Sequence, residues 1–338
     1  MKQSKKKKLY TIDNPKKSNL LTFFAFLFCV YSLMPYVWLF INATKTQKDF
    51  ASTFGLSFGE EFALFDNIKQ AFTYHDGIFV RWLGNSVIYT VIGAFVSTLL
   101  AALAGYALAK LRFRGKRVVL LVILGSISVP GIALAIPQFL LFSKLGITNT
   151  MWSVFIPSFV SPFGVYLMWI FSGQAVPTGL LEAAEIDGSG PWRTFFKISL
   201  PLLSPALVTV FLFAFVSVWN NFFLPLIMLK DAKLYPLTLG LYQWNLANSS
   251  AGGSGEMIQN LVLTGALLTI LPLIIAFLCL QKYWQSGLAL GAEKGGWRKS
   301  VWSIAGRKQC PERRQSSCSE ETTIQTSGRK LSGRKMSG

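Results

Sequence analysis

Six stretches of this chain are long, apolar and free of Asp, Glu, Lys, Arg and His: residues 20–41, 82–109, 118–142, 151–172, 202–229 and 257–281. The hydrocarbon core of a bilayer is about 30 Å thick, and a helix needs about 20 residues to cross it. Each stretch therefore reads as a transmembrane helix, and the fold class is all-α, a polytopic membrane protein with six spans. The second and fifth exceed the required length and must tilt or project beyond the bilayer.

Composition agrees with the spans. Of 338 residues 52% are hydrophobic and only 14% charged, and the mean hydropathy is +0.44. The net charge of +18 is distributed as a topological signal. Short loops rich in Lys and Arg stay on the cytoplasmic side, so the opening KKKK run with Lys16 and Lys17 places the N-terminus inside. Alternation then puts Lys110 to Arg117 (KLRFRGKR) and the basic stretch after Lys282 inside too. The opposite connections, 42–81, 143–150 and 230–256, hold few basic residues and several acids, among them Asp49, Glu60, Glu61, Asp66 and Asp76.

No basic stripe interleaves with aromatics on a soluble domain, so nucleic acid is not an expected partner. Anionic membrane lipid against the N-terminal lysines is. The first apolar run is longer than a signal-peptide core and lacks a small-residue cleavage site, so it is read as an uncleaved span. The four cysteines, Cys29, Cys279, Cys310 and Cys318, lie in spans or in the tail, and neither a disulfide nor a metal site is expected of them. His75 has no second His or Cys near it in sequence, which speaks against a metal there.

The chain divides into a basic N-terminus at 1–19, a membrane domain at 20–295 and a polar, basic tail at 296–338 containing SGRK twice, from Ser327 and from Ser332. The tail has no apolar period and is predicted to be disordered, either as a dispensable extension or as a site for a regulator. Within loop 42–81, FALFDNIKQAF has helical apolar spacing and predicts a short surface helix. Loop 230–256 ends in SSAGGSG, a flexible composition.

The most informative segment connects the fourth and fifth spans, Pro177 to Pro205, PTGLLEAAEIDGSGPWRTFFKISLPLLSP. Pro177 and Thr178 signal a helix start with Thr178 as candidate N-cap. Gly188 breaks the helix. Pro191, favoured in a first turn, restarts it, and Pro201 is expected to stop it again. A helix, turn, helix element is more structure than a tether between spans requires.

That element resembles the EAA loop of permease subunits of binding-protein-dependent ABC importers: E-A-A, three residues, G, nine residues, I-x-L-P. Glu182, Ala183, Ala184, Gly188, Ile198, Leu200 and Pro201 occupy the pattern without a gap, and Asp187 precedes the glycine. The resemblance runs over about residues 15 to 295. It is supported by WLGNSVIYTV at Trp82, by IPQFLLFSKLGITNT up to Thr150, by VWNNFFLPL at Val218 and by QKYWQSGLALGAEKG at Gln281. The branch it resembles is the carbohydrate permeases related to the second maltose permease subunit. Gly190 departs from the usual small-residue-then-Ser pattern, which predicts a looser turn.

The resemblance implies a type I importer architecture in which the loop at 177–201 enters a groove on an ABC ATPase subunit. Small alanines permit close approach there, and Glu182 and Asp187 offer charge. Leu180, Leu181, Ile186 and Phe195 are the candidate apolar anchors. It also implies a second, homologous permease subunit, an extracytoplasmic solute-binding protein and a small-molecule sugar carried by alternating access. No Walker pattern occurs in the chain, so ATP is expected on the partner subunit, with no cofactor on this chain and no enzymatic activity of its own.

The spans lack the ionisable relays that ion-driven carriers need, which weighs against the alternative of an ATP-independent secondary carrier or channel. A membrane scaffold or sensor that moves nothing is a third reading. For the substrate path, polar groups inside spans are the candidates, because an unsatisfied amide in hydrocarbon is costly. Asn220 and Asn221 beside Trp219 lead, followed by Asn85 with Ser86, Gln138, and Gln259 with Asn260. The same amides could instead bond neighbouring helices. Pro130, Pro137, Pro225 and Pro272 read as hinges or static kinks.

Overall fold

Leu-, Ala- and Phe-rich runs without charges become helices throughout, and among the described residues there is no strand. The computed structural model describes residues 19–250 and 258–292; the N-terminal lysine run, most of SSAGGSG and the tail with Cys310 and Cys318 lie outside them. The described residues up to Gly287 form one unit. Of the second unit only 288–292 are described, and they are helical.

The first span is α1 (Asn19–Ala43), followed by short α2 (Gln47–Ser52) and by α3 (Leu64–Lys110), which carries the predicted surface helix and the second span in one 47-residue run. At Tyr74–Gly77 this run leaves helical geometry, and His75, Asp76 and Gly77 all have positive φ. The third span is α4 (Lys116–Ile127) and α5 (Gly131–Lys144), bent by 103°. One span over 118–142 was expected, with Pro130 and Pro137 as hinges or kinks, and the break falls at Pro130. Pro130 lacks an N–H and its ring disfavours helix at Val129, so the first half stops at Ile127.

The fourth span divides into α6 (Trp152–Ser158) and α7 (Pro162–Ala175), with Ser161 capping α7 and Pro162 in its first turn. The connecting hairpin is α8 (Thr178–Ile186), α9 (Pro191–Thr194), a π-helical turn (Phe195–Ser199) and α10 (Leu200–Leu202). The fifth span is α11 (Ser204–Trp219) with α12 (Phe223–Met228) beyond a break at Asn220 and Asn221. Then come α13 (Leu237–Ser250) and α14 (Gln259–Ala292), which holds the sixth span. With each bent pair taken as one crossing, the spans number six among the described residues.

Helix α3 is the central element, packing on α7 and α11 and also meeting α6 and α13. Its approach to α7 is close because Gly105 lacks a side chain: a Cβ there would lie 2.5 Å from the Cβ of Met168 and 2.7 Å from that residue's backbone. Helix α1 behaves differently. Its apolar window is only 6% buried, and its buried residues are the last three, Ile41 to Ala43.

Candidate functional site: the hairpin and the polar cavities of the spans

The hairpin's turn is built locally. Helix α8 closes in a Schellman motif: the Gly188 N–H donates to the Glu185 carbonyl at 3.0 Å, and the Ser189 N–H donates to the Ala184 carbonyl at 2.9 Å. The motif requires a left-handed residue, and Gly188 supplies it at φ 72°. Thr178 is the first helical residue and Pro177 holds the cap position, so Thr178 does not cap. Gly190 caps α9 without a side chain, while the Thr194 hydroxyl donates to Ser189 Oγ at 3.2 Å.

Pro201 does not end the second helix, contrary to the sequence reading. A proline ring collides with the carbonyl four residues earlier, but here the preceding turn is widened to a π-helix at Phe195–Ser199. The chain therefore stays helical to Leu202 and bends by 81° into α11.

Which side chains face outward was also only partly foreseen. Phe195 is buried against Tyr106, ring centroids 5.0 Å apart, in a core with Met168, Val176, Leu203 and Val210. Leu181 and Leu200 pack on the same core. These two candidate anchors, Phe195 and Leu181, thus bolt the hairpin to its own bundle. Ala184 is buried as well, leaving Ala183 and Glu182 exposed on the other face with Asp187 and Gly188.

The exposed apolar groups are Ile186 at 86%, Trp192 at 68%, Phe196, Leu180 and Leu202. Trp192 lies stacked on Phe196 at 17° between ring planes. Its exposure was not foreseen, although a Trp two residues after the turn in a polar segment was a legible signal. Ile198 is half-buried and Pro201 exposed.

At the hairpin end of the bundle, the Lys110 ammonium donates to the Gly173 carbonyl at 3.3 Å, so the basic stretch Lys110 to Arg117 lies at this same end. The other connections gather at the opposite end. There Asn149 Oδ1 accepts from the Lys230 and Asp231 N–H groups at 2.8 and 2.9 Å, and Asn260 donates to Asn67 Oδ1 at 2.9 Å.

The in-span amides separate into two sets. Asn85 is buried, and its amide donates to the Lys233 and Tyr235 carbonyls at 2.8 and 3.0 Å. Ser86 accepts from the Leu237 N–H at 2.7 Å, and Asn260 belongs to the end network. Asn85 is thus committed to bracing a loop, because its two donors are both occupied. Trp219 is buried in an aromatic cluster with Trp82 and Trp244 and stacks on Phe215 at 4°. Asn220 closes its own helix, donating to the Val216 carbonyl at 2.9 Å.

Gln138 and Asn221 come together. Both line a cavity of about 350 Å³ between α5, α6 and the α11–α12 break, with Ala135, Pro157 and Leu224. A sequence separation of 83 positions hid the pairing.

Long spans, an EAA-type hairpin mounted on them and polar groups facing cavities between them define a membrane-embedded permease that takes its drive from elsewhere. Residues 97–289 match the family described as the inner membrane component of binding-protein-dependent transport systems. The chain belongs to this family: it is a multi-pass permease subunit of an ABC importer and not itself an enzyme.

It is 33% identical over 230 residues to the arabinooligosaccharides transport system permease protein AraQ of Halalkalibacterium halodurans, covering 68% of this chain and 79% of that protein. It is 32% identical to the lactose transport system permease protein LacG of Rhizobium radiobacter, covering 78% and 91%. A crystal structure of a bacterial ABC transporter involved in import of the acidic polysaccharide alginate shares the fold, with a TM-score of 0.67 at 24% identity over 80% of this chain and 100% of that one.

Proposed function

We propose that this chain carries a neutral sugar or oligosaccharide across the cytoplasmic membrane, driven by a separate ATPase subunit that seats on the α8–α9 hairpin. The observation that carries the reading is the hairpin's two-sidedness. One face is clamped to the bundle through Phe195 and Leu181, and the other presents Ile186, Trp192, Leu180 and Glu182 uncovered. Large apolar groups on a rigid, charged rim are what an interface anchor looks like. A partner that moves this element also moves α11, which continues from it, and α3 and α7, on which it is bolted.

The five basic residues in Lys110 to Arg117 support a cytoplasmic hairpin end, with both termini on that side. A solute-binding protein then delivers substrate at the opposite end, and anionic lipid meets the N-terminal lysines. ATP is bound by the partner, since no phosphate-binding pattern occurs in this chain. A second, homologous permease completes the pathway, because Gln138 and Asn221 line an open side of one chain and not a closed channel. Alternating access follows: nucleotide-driven closure of the ATPase pair swings the hairpins, and the spans exchange inward-open for outward-open cavities. Relatives that transport arabino-oligosaccharides and lactose support a carbohydrate as the cargo.

Glu182→Lys and Gly188→Val test this in membranes of cells expressing the whole importer. Each is expected to leave the chain in the membrane while ATP-driven uptake falls at least about tenfold, the size expected for loss of an interface hot spot. Unchanged uptake in both, or uptake by purified chain without an ATPase, overturns the proposal.

A further inference from the structure

The fourth span is interrupted in mid-course: α6 ends at Ser158 and α7 begins at Pro162. Within a bilayer, non-helical backbone is tolerated only where it is buried in protein or lines a wet cavity. This break lines a cavity of about 330 Å³, closed by α3 on one side and α11 on the other. Four serines line it, Ser97, Ser158, Ser161 and Ser217, together with Phe163 and Phe213.

Their hydrogen bonding is incomplete in a specific way. Ser158 donates to the Val154 carbonyl at 2.7 Å, leaving its oxygen as an acceptor. Ser161 accepts from the Gly164 N–H at 3.0 Å, leaving its own proton to donate. Ser97 is 1% exposed, and its hydroxyl has no partner at all. An unpaired buried hydroxyl costs free energy, and this one borders the cavity. Phe163 and Phe213 meet edge to face at 5.8 Å and supply an apolar wall. No ionisable group lines the cavity. Pro157 stands in its wall and also in the wall of the Gln138–Asn221 cavity, so the two adjoin.

We infer that the serine-lined break is a binding station for the hydroxyl groups of a neutral sugar, next along the path from Gln138 and Asn221. Neutral donors and acceptors beside aromatic faces suit a polyhydroxylated ring with C–H surfaces, whereas an ion or a zwitterion would leave its charge unpaired. The volume is at the lower end of small-molecule sites and fits a short segment of sugar at a time. This inference rests on the carbohydrate reading above.

The test uses the assembled importer in proteoliposomes, in a background with Cys29, Cys279, Cys310 and Cys318 replaced by Ser. Ser97→Cys and Ser217→Cys are probed with a membrane-impermeant, charged methanethiosulfonate, with Ser172→Cys as control, since Ser172 is buried and unpaired on α7 but lines neither of these two cavities. Import of arabinotriose, lactose, maltose and raffinose is measured in parallel.

Both cavity thiols are expected to react in at least one nucleotide state, to be protected by whichever sugar is imported, and the Ser172 position is expected to stay inert. Ser97→Ala is expected to keep assembly and melting temperature unchanged or raised, and to lower import about fivefold, the equivalent of one hydrogen bond. Inert cavity thiols, or labelling that an imported sugar leaves unaffected, overturn the inference while sparing the carbohydrate reading. Import of none of the four sugars overturns that reading, and this inference with it.

Discussion

The hairpin end and the opposite end of this bundle are held together by different means. At the hairpin, structure is local: a Schellman turn at Gly188, a proline-started α9 and a widened turn before Pro201 are all made within 25 residues. Burial of the Phe195 ring, an effect of roughly 2–3 kcal/mol for such a side chain, then seats the preformed piece on the spans. At the opposite end the braces are long-range. Trp82 Nε1 donates to the Ala232 carbonyl at 2.8 Å, Tyr89 to Leu234 at 3.0 Å and Asn67 to Ala43 and Lys45 at 2.9 Å each, across 22 to 150 positions of sequence. On the proposed function, the hairpin has to be stiff within itself yet leave a face free for its partner. An end built from loops must be knitted to its neighbours, since loop backbone at a membrane surface needs partners for its polar groups.

The contrast is most severely tested at Gly240, where an added Cβ would overlap the Trp82 ring. That ring cannot yield, because its nitrogen is tied to Ala232 and its centroid lies 5.1 Å from that of Trp244. Gly240→Val is expected to cost about 3 kcal/mol, read as loss of monodisperse protein and a lowered melting temperature in detergent. Near-wild-type melting would mean the aromatic cluster does not hold this end.

Asn85→Leu comes next. It leaves two carbonyls unpaired and is expected to cost about 2 kcal/mol. Thermal unfolding should drop, whereas the ATPase should still co-purify, because the hairpin's bonds do not pass through this residue. Loss of the ATPase together with stability would show the two ends to be one cooperative unit.

The smallest effect is expected at Gly190→Ser, which supplies the missing N-cap of α9 and should stabilise the hairpin by about 0.3 kcal/mol. Slower amide exchange at Trp192 and Arg193 would register it, with the opposite end unchanged.

The same contrast explains what could be read in advance. The hairpin's start, its glycine break and its restart were visible because each depends on one or two neighbouring residues. The outlook of its side chains was not: Phe195 and Leu181 turn inward and Trp192 outward, since facing depends on where α3 and α7 stand. Helix α13 was overlooked because its apolar face opposes Trp82 and Phe79 and only makes sense beside them. Asn85, a path candidate that could equally bond its neighbours, gives both amide donors to loop carbonyls, while the partnerless hydroxyl of Ser97 carried no local signal.

From sequence alone came the six apolar crossings, the distribution of charge between the two sets of loops and the helix–turn–helix hairpin, because chain length against bilayer thickness, charge retention and helix punctuation are all short-range rules. Tertiary structure alone decided the meeting of Gln138 and Asn221 in one cavity wall and the unpaired hydroxyl of Ser97 in the middle of α3. Those depend on which distant helices come within a few ångströms of each other, and neighbouring residues in a chain do not encode that distance.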